Sequence, residues 1–396
     1  MKPRVLVTTT SYPPAVGGVQ THVAALRREQ PKFDTDIVTL WRENRTDWLL
    51  GSTIRLKGRS RVWEDGVRQL GWSRAARLRM LPWVTSYYAT IGWSAARIAA
   101  EMGPELDRIC RPDQAIIHNH RVGREFLSLA SLQLARLRGV PFVITPHHHP
   151  KWNGQRYRVY DSIYRQADAV LAATAAESNA LQALGVSAER IHVIGGAAEP
   201  AIPTDPRRFL HKLMRPPDPC ILFIGQMYAY KGIAALLAAA DIVNGRGLAV
   251  NLVYIGPTTS YSENLFKEES RPWLYVLGPV SKQDKWDAID AARVVCVPSS
   301  QEAFGLVLVE AWQKGVPVIG GDIPATREVV QHGRTGLLVP PGDVEALADA
   351  LFDVCSDEAA AKEMGQHGAA TAAERFTWKA VVDRVNVAYE AALRAS

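Results

Sequence analysis

The residues best suited to chemistry are Ser299-Ser300-Gln301-Glu302-Ala303-Phe304-Gly305, followed by an apolar stretch that carries Glu310. The wholly apolar run Val294 to Val297 before them reads as a buried strand, and Phe304 to Lys314 as a helix ended by Gly315. In open parallel sheets ligands gather at the carboxyl ends of strands, and helix starts there bind phosphate through free N–H groups. A pyrophosphate would fit. Glu310 should lie about two turns on, roughly 12 Å at ~1.5 Å per residue, a span comparable to that of a nucleotide sugar. One glutamate can then hold sugar hydroxyls and the other a ribose; a dipole partner plus a helix-face carboxylate is the plainer alternative.

Other groups invite chemistry of their own. Gly17 and Gly18 stand at a strand-to-helix turn, where backbone can approach a phosphate or an acceptor closely, or simply turn. Their spacing is neither G-x-G-x-x-G nor a Walker A loop, which disfavours a dinucleotide oxidoreductase or P-loop ATPase. His118 and His120 end one strand-like stretch with side chains on one face, and His147-His148-His149 end another. No carboxylate or cysteine accompanies them at ligand spacing, so polar contact is expected ahead of a metal site. Asp34-Thr35-Asp36 spells a D-x-D, yet it precedes a strand and reads as a solvated turn.

The elements that must position these groups alternate. In the second half Cys220 to Gly225, Val250 to Ile255, Tyr275 to Leu277, Val294 to Val297, Val316 to Ile319 and Leu337 to Val339 are strand-like. Helical stretches follow at Ile233 to Val243, after a Ser281 cap, at Phe304 to Lys314, Ala325 to Gln331 and Val344 to Val354. Apolar strands each followed by a helix imply a parallel sheet covered on both faces. In the first half Arg4 to Thr9, Asp36 to Leu40, Ala115 to His118, Phe142 to Thr145, Ala169 to Ala173 and Ile191 to Ile194 are strand-like. Helices are expected at Val19 to Glu29, Glu125 to Arg138 and Ala175 to Leu184. The proline-rich Pro200 to Pro219 suits a linker and hinge, dividing residues 1–200, 201–217 and 218–375, with a last helix in 376–396.

Composition bounds the class. A chain of 396 residues, 47% hydrophobic and 22% charged, is long enough for two cores and too regular for disorder. Four scattered cysteines exclude a CxxC zinc ribbon or a disulfide framework, and no apolar run of about 18 residues suggests a membrane span. A cytoplasmic protein is expected, peripheral on a membrane at most. The net charge of +6 is concentrated between Arg45 and Arg97, together with six tryptophans from Trp41 to Trp93. Arginine with aromatics at amphipathic spacing suits an anionic membrane surface, a lipid-linked acceptor or sugar stacking; no nucleic-acid-binding motif accompanies it.

The run from Glu302 to Glu310 resembles the E-x7-E motif of retaining GT-B glycosyltransferases of family 4, and the likeness extends over nearly the whole chain. Ser11 to Gln20 resembles that family's Gly-rich loop, Ile224-Gly225-Gln226 with Lys231-Gly232 its diphosphate-binding strand end, and Gly336 to Asp343 its L-V-x-P-G-D segment. Phe376-Thr377-Trp378 begins a helix of the type that returns to the N-terminal domain. The resemblance implies an α/β GT-B fold, two Rossmann-like domains whose parallel sheets face across a cleft, closing on substrate to exclude water. It implies transfer of a hexose-like sugar from a nucleotide diphosphate donor to a hydroxyl of a glycan, lipid-linked or small-molecule acceptor, with retention and without metal or cofactor. Lys231 would meet the diphosphate, Glu310 the ribose, and Glu302 with the backbone of Phe304, Gly305 and Leu306 the transferred sugar. Gly17 and Gly18 would line the donor, His120 the active site, and His147 and Tyr12 the acceptor side. Gln226 stands where the family has arginine, implying weakened or redirected donor binding. A nucleotide-sugar epimerase, a sugar phosphorylase and a binding protein with little turnover are the rival readings.

Overall fold

The computed structural model describes residues 2–15, 17–45, 47–148, 157–213 and 219–395. Two units divide the chain: Met1–Gly195 with Trp378–Ser396, and Gly196–Thr377. Among the described residues no helix is long and apolar enough to cross a membrane.

In the first unit eight strands form one sheet in the order Arg61–Val62, Arg68–Gln69, Asp34–Trp41, Arg4–Ser11, Gln114–His120, Phe142–Thr145, Ala169–Ala172 and Ile191–Val193. All pairs are parallel except the first, which is a short antiparallel edge. The central strands are buried on both faces, through β-branched and aliphatic residues at their starts and, in Gln114–His120, through buried His118, Asn119 and His120 at the end. The helix Trp378–Arg394 belongs to this unit, burying Val381, Val385, Tyr389 and Ala392 at helical spacing against the Gly18–Glu29 helix and the sheet.

Parallel pairing throughout orders the second unit as Leu274–Gly278, Asn251–Ile255, Cys220–Ile224, Val294–Val297, Val318–Gly321 and Gly336–Val339. Adjacent strands Cys220–Ile224 and Val294–Val297 lie beside each other without being consecutive, so the loops after both leave from the same carboxyl edge. That is where doubly wound sheets bind ligands. Residues 201–213, expected as linker, are docked on this unit. The helix Pro206–Lys212 is capped by Asp205, buries Phe209, and its Arg208 bonds Asp287 at 2.9 and 3.0 Å. Pro216, Pro217 and Asp218 lie outside the described residues.

Two further expectations change. Asp36 is no solvated turn residue: Asp34–Trp41 is strand throughout, and Asp36 is buried, accepting from Arg68 at 2.9 Å and Gln114 at 2.8 Å. Burial raises its pKa, but these hydrogen bonds outweigh burial and hold it below the usual carboxylate range. The segment from Arg45 to Arg97 is also no uniform patch. Arg45 is held by Asp47, Arg68 by Asp36, and Trp41 and Trp72 are core residues, whereas Arg59, Arg61 and Trp63 and the later helices present arginine and aromatics outward.

Candidate functional site

The strand Cys220–Ile224 delivers Gly225 and the exposed Gln226, then the single 3-10 turn Ala229–Lys231. Gly232 caps the following helix in the left-handed region, with φ 74°, and a Cβ there would stand 2.5 Å from the Pro298 carbonyl oxygen. Glycine is required twice over at this position, by conformation and by contact. The neighbouring loop is stitched on by the Ser300 N–H, which donates to the Tyr230 carbonyl at 2.8 Å. Two loops that abut in this way bring Lys231 Nζ to 2.5 Å from Glu302 Oε1, an oxygen that also accepts from the buried Ser299 hydroxyl at 2.9 Å.

Glu310 sits in the helix Leu306–Trp312, is 9% exposed, and takes Lys285 Nζ at 2.6 Å on its Oε1. Lys285 lies on the helix Lys282–Ala291, whose start is capped by Ser281. The helix carrying Glu310 is shorter than its apolar pattern suggested: Gly305, left-handed at φ 87°, is its N-cap, so Glu302 stands outside it. The span between the two glutamates is therefore loop plus about one turn, not two turns of helix. Phe304 is buried, edge-on to Phe376 at 5.5 Å and against Gly196, so its side chain serves packing and only its backbone is available to a ligand. Lys285 and the stacked pair Tyr228 and Tyr230, 5.6 Å apart, were not singled out by sequence, nor was the bond of Ser299 to Glu302. Capping by Ser281 was visible; which residue Lys285 would meet was not.

In the first unit four imidazoles gather at the carboxyl edge of the sheet. His118 and His120 on strand Gln114–His120 have ring centroids 4.2 Å apart; His120 lies 5.6 Å from His147, and His22, on the helix Gly18–Glu29, lies 5.5 Å from His120. His118 is fully bonded, Nδ1 to the Tyr389 hydroxyl at 2.7 Å and Nε2 to the Thr145 hydroxyl at 2.8 Å. His120 Nδ1 and His147 Nε2 are 3.3 Å apart, so one donates and the other accepts. Burial lowers the pKa of His22 to about 4 and that of His118 to about 3, and lowers His120 well below its usual value, the neighbouring imidazoles adding to the effect. All three are neutral at pH 7. The Nε2 atoms of His22 and His120 are buried without a hydrogen-bond partner among the described residues, the condition of a polar group built to meet a ligand. His147 adopts φ 45°, and the next residue is anchored by its N–H to Glu177 at 2.6 Å. Neither His22 nor Glu177 was found by sequence; only an unexpectedly polar residue on the inner face of each helix could have flagged them. His149 and Val16 lie outside the described residues. Among those described, no group of three or more His, Cys, Asp or Glu is placed to hold a metal ion.

Gly17 and Gly18 begin the helix that carries His22. A Cβ on Gly17 would meet the Gln20 side chain at 2.3 Å, whereas one on Gly18 would meet nothing within 4 Å, so nothing in the chain itself demands glycine there. Tyr12 is only 6% exposed, its N–H bonded to the Trp41 carbonyl at 3.2 Å, and offers little surface to an acceptor.

Comparison with known proteins bears on both units. Residues 17–197 match the family model described as glycosyl transferase 4-like domain, and residues 210–371 the one described as glycosyl transferases group 1. A phosphatidyl-myo-inositol mannosyltransferase of Mycobacterium leprae is 39% identical over 115 residues, 29% of this chain and 30% of the relative. A D-inositol 3-phosphate glycosyltransferase of Xylanimonas cellulosilytica is 31% identical over 235 residues, 55% of each chain. These two matches thus span about a third and about half of the curated relatives' lengths. An Anabaena protein crystallised with UDP and glucose superposes with a TM-score of 0.73 at 17% identity, over 97% of this chain and 98% of its own.

Proposed function

The chain belongs to the group 1 glycosyl transferases and has their GT-B fold, and from that premise we propose that it transfers a hexose-type sugar from a nucleotide diphosphate donor to an acceptor hydroxyl with retention of configuration. The observation that carries the reading is the constellation of Lys231, Glu302 and Ser299 at the carboxyl edge of the second sheet, one short helix away from the Glu310 and Lys285 pair. Lysine has three N–H donors, and Glu302 uses one of them, leaving two for phosphate oxygens. In the transfer the bond from the anomeric carbon to the β-phosphate oxygen breaks and a bond to the acceptor oxygen forms. The acceptor proton ends on the departing phosphate. Lys231 offsets the negative charge that grows on that leaving group, aided by backbone N–H groups at Gly305 and Leu306. Glu302 holds hydroxyls of the transferred sugar and Glu310 the ribose.

In the first unit His120 supplies a neutral imidazole whose buried Nε2, without a hydrogen-bond partner among the described residues, would meet a sugar hydroxyl or a phosphate, while its Nδ1 is bonded to His147. Gly18 leaves room for a ligand beside the same helix. The proposal calls on no metal ion or cofactor. Two of the curated relatives are named for inositol-type compounds, which makes a polyol or a lipid-linked polyol a fitting class to screen.

The test is a nucleotide-release screen over UDP-, GDP- and ADP-sugars, with and without lipid and glycan acceptors, on wild type and Glu302→Ala. Acceptor-dependent release that falls at least a hundredfold in the variant, with the thermal transition nearly kept, is the expected result. Unchanged turnover removes Glu302 from the site.

A further inference from the structure

The helix Arg74–Thr85 packs Ala76, Met80 and Val84 into the first unit's core, at the four-residue spacing of one face. An ordinary surface helix would turn charge outward on the other side. Here the outward side carries Leu78 at 58% exposure and Leu81 at 40%, with Ala75 and Pro82 exposed beside them. Arg74 and Arg79 are exposed beside this apolar stripe, while Arg77 is half-buried and donates to the Ile54 carbonyl at 3.3 Å. Just beyond, Tyr88 is 58% exposed and Trp93 65% exposed at the start of the helix Ile91–Ile109. The Arg97 guanidinium lies over both Trp83, at 5.6 Å, and Trp93, at 5.8 Å. From Gly66 to Ala100 the sequence has five arginines and no aspartate or glutamate. Among the described residues no carboxylate pairs with Arg74, Arg77 or Arg97, while Arg79 meets Glu101 at 2.7 Å.

We propose that this face docks on an anionic lipid bilayer. An apolar stripe bordered by arginines, with tryptophan and tyrosine at its margin, is the pattern of a helix lying in the interface plane: leucine and indole enter the acyl boundary while guanidinium groups remain at headgroup level. Charge decides the occupant. A two-fold contact between copies would set these arginines against their own equivalents, with Glu101 already taken, whereas acidic headgroups complement the exposed Arg74 and Arg97. The surface lies on the first unit alone and does not depend on the sugar-transfer reading. Its test reads binding and leaves that reading untouched.

The full chain is sedimented with phosphatidylcholine vesicles and with vesicles containing phosphatidylglycerol, at low and high salt. Wild type is expected to pellet with the anionic vesicles and to be released by salt. Arg74→Gln with Arg97→Gln should weaken partitioning by roughly fivefold per arginine. Leu78→Ser with Trp93→Ser should weaken it further and remove what remains at high salt. All four positions are exposed, and circular dichroism verifies that the variants stay folded. Absence of binding to anionic vesicles by folded wild type overturns the proposal. So does binding that the four substitutions leave unchanged, or a concentration-dependent dimer that Leu78→Ser abolishes while vesicles pellet nothing.

Discussion

Replacing Lys231 with alanine separates a structural ion pair from a ligand-binding cation, because the two roles predict different costs. The pair is 2.5 Å long with side chains 16% and 11% exposed. At an effective dielectric near 20 the attraction is of order 7 kcal/mol before desolvation, and breaking a wholly buried pair costs about 3–5 kcal/mol. Partial exposure and the surviving Ser299 bond to Glu302 bring the expected loss for Lys231→Ala down to about 2 kcal/mol. Glu302→Ala should cost about 1 kcal/mol, since a freed ammonium on a flexible stem can turn to water, and the double variant should be no worse than the lysine variant alone. Without donor, differential scanning fluorimetry reads these as small losses. With a nucleotide sugar present, wild type gains stability by mass action. Lys231→Ala should lose that gain almost wholly, since a charge-assisted bond worth about 1.5–3 kcal/mol corresponds to roughly 10–100-fold in Kd. A lysine variant that keeps the full donor-induced shift refutes the assignment of Lys231 to the diphosphate.

Acid should destabilise the first unit in a defined window. Burial holds His22 near 4 and His118 near 3, below the 6.5 of the unfolded chain, so their contribution is complete above pH 6.5 and is lost as pH falls toward those values, about 3–5 kcal/mol each. Buried Glu177, raised to about 7, works the other way, favouring the folded state as pH falls from 7 toward 4.5 and offsetting about one histidine. Urea midpoints across this range should therefore decline with acid, His22→Gln should flatten the decline, and a wild-type midpoint constant from pH 6.5 to 4 counts against burial of neutral imidazoles. Gln226→Arg, at an exposed position beside Gly225, should tighten donor binding about tenfold in calorimetry without moving the thermal transition. An unchanged affinity would place residue 226 away from the diphosphate.

Much of the architecture is legible in one dimension because parallel strands are buried on both faces and so spell themselves as apolar runs, as Phe142–Thr145 and Val294–Val297 do. A helix start with a side-chain cap, such as Ser281, is equally visible. Expectation failed where a residue's environment comes from distant chain. Asp36 looked like a turn residue until Arg68 and Gln114 were seen around it, and residues 201–213 looked like a spacer until Asp287 was seen to hold Arg208. The apolar run around Glu310 suggested a longer helix, because composition does not tell which residue before it must turn left-handed; Gly305 does.

The chain's own order of residues settled the class of fold and pointed to two α/β units and to the acids and the lysine of the candidate site, since periodicity and motif are local properties. Only tertiary structure decided that Glu302 meets Lys231 while Glu310 meets Lys285, that His22 joins His118, His120 and His147, and that the leucines of Arg74–Thr85 face outward. The reason is physical: partners 25 to 271 residues apart are chosen by which strands lie side by side and which helices pack upon them. Spacing along the chain carries no record of that choice.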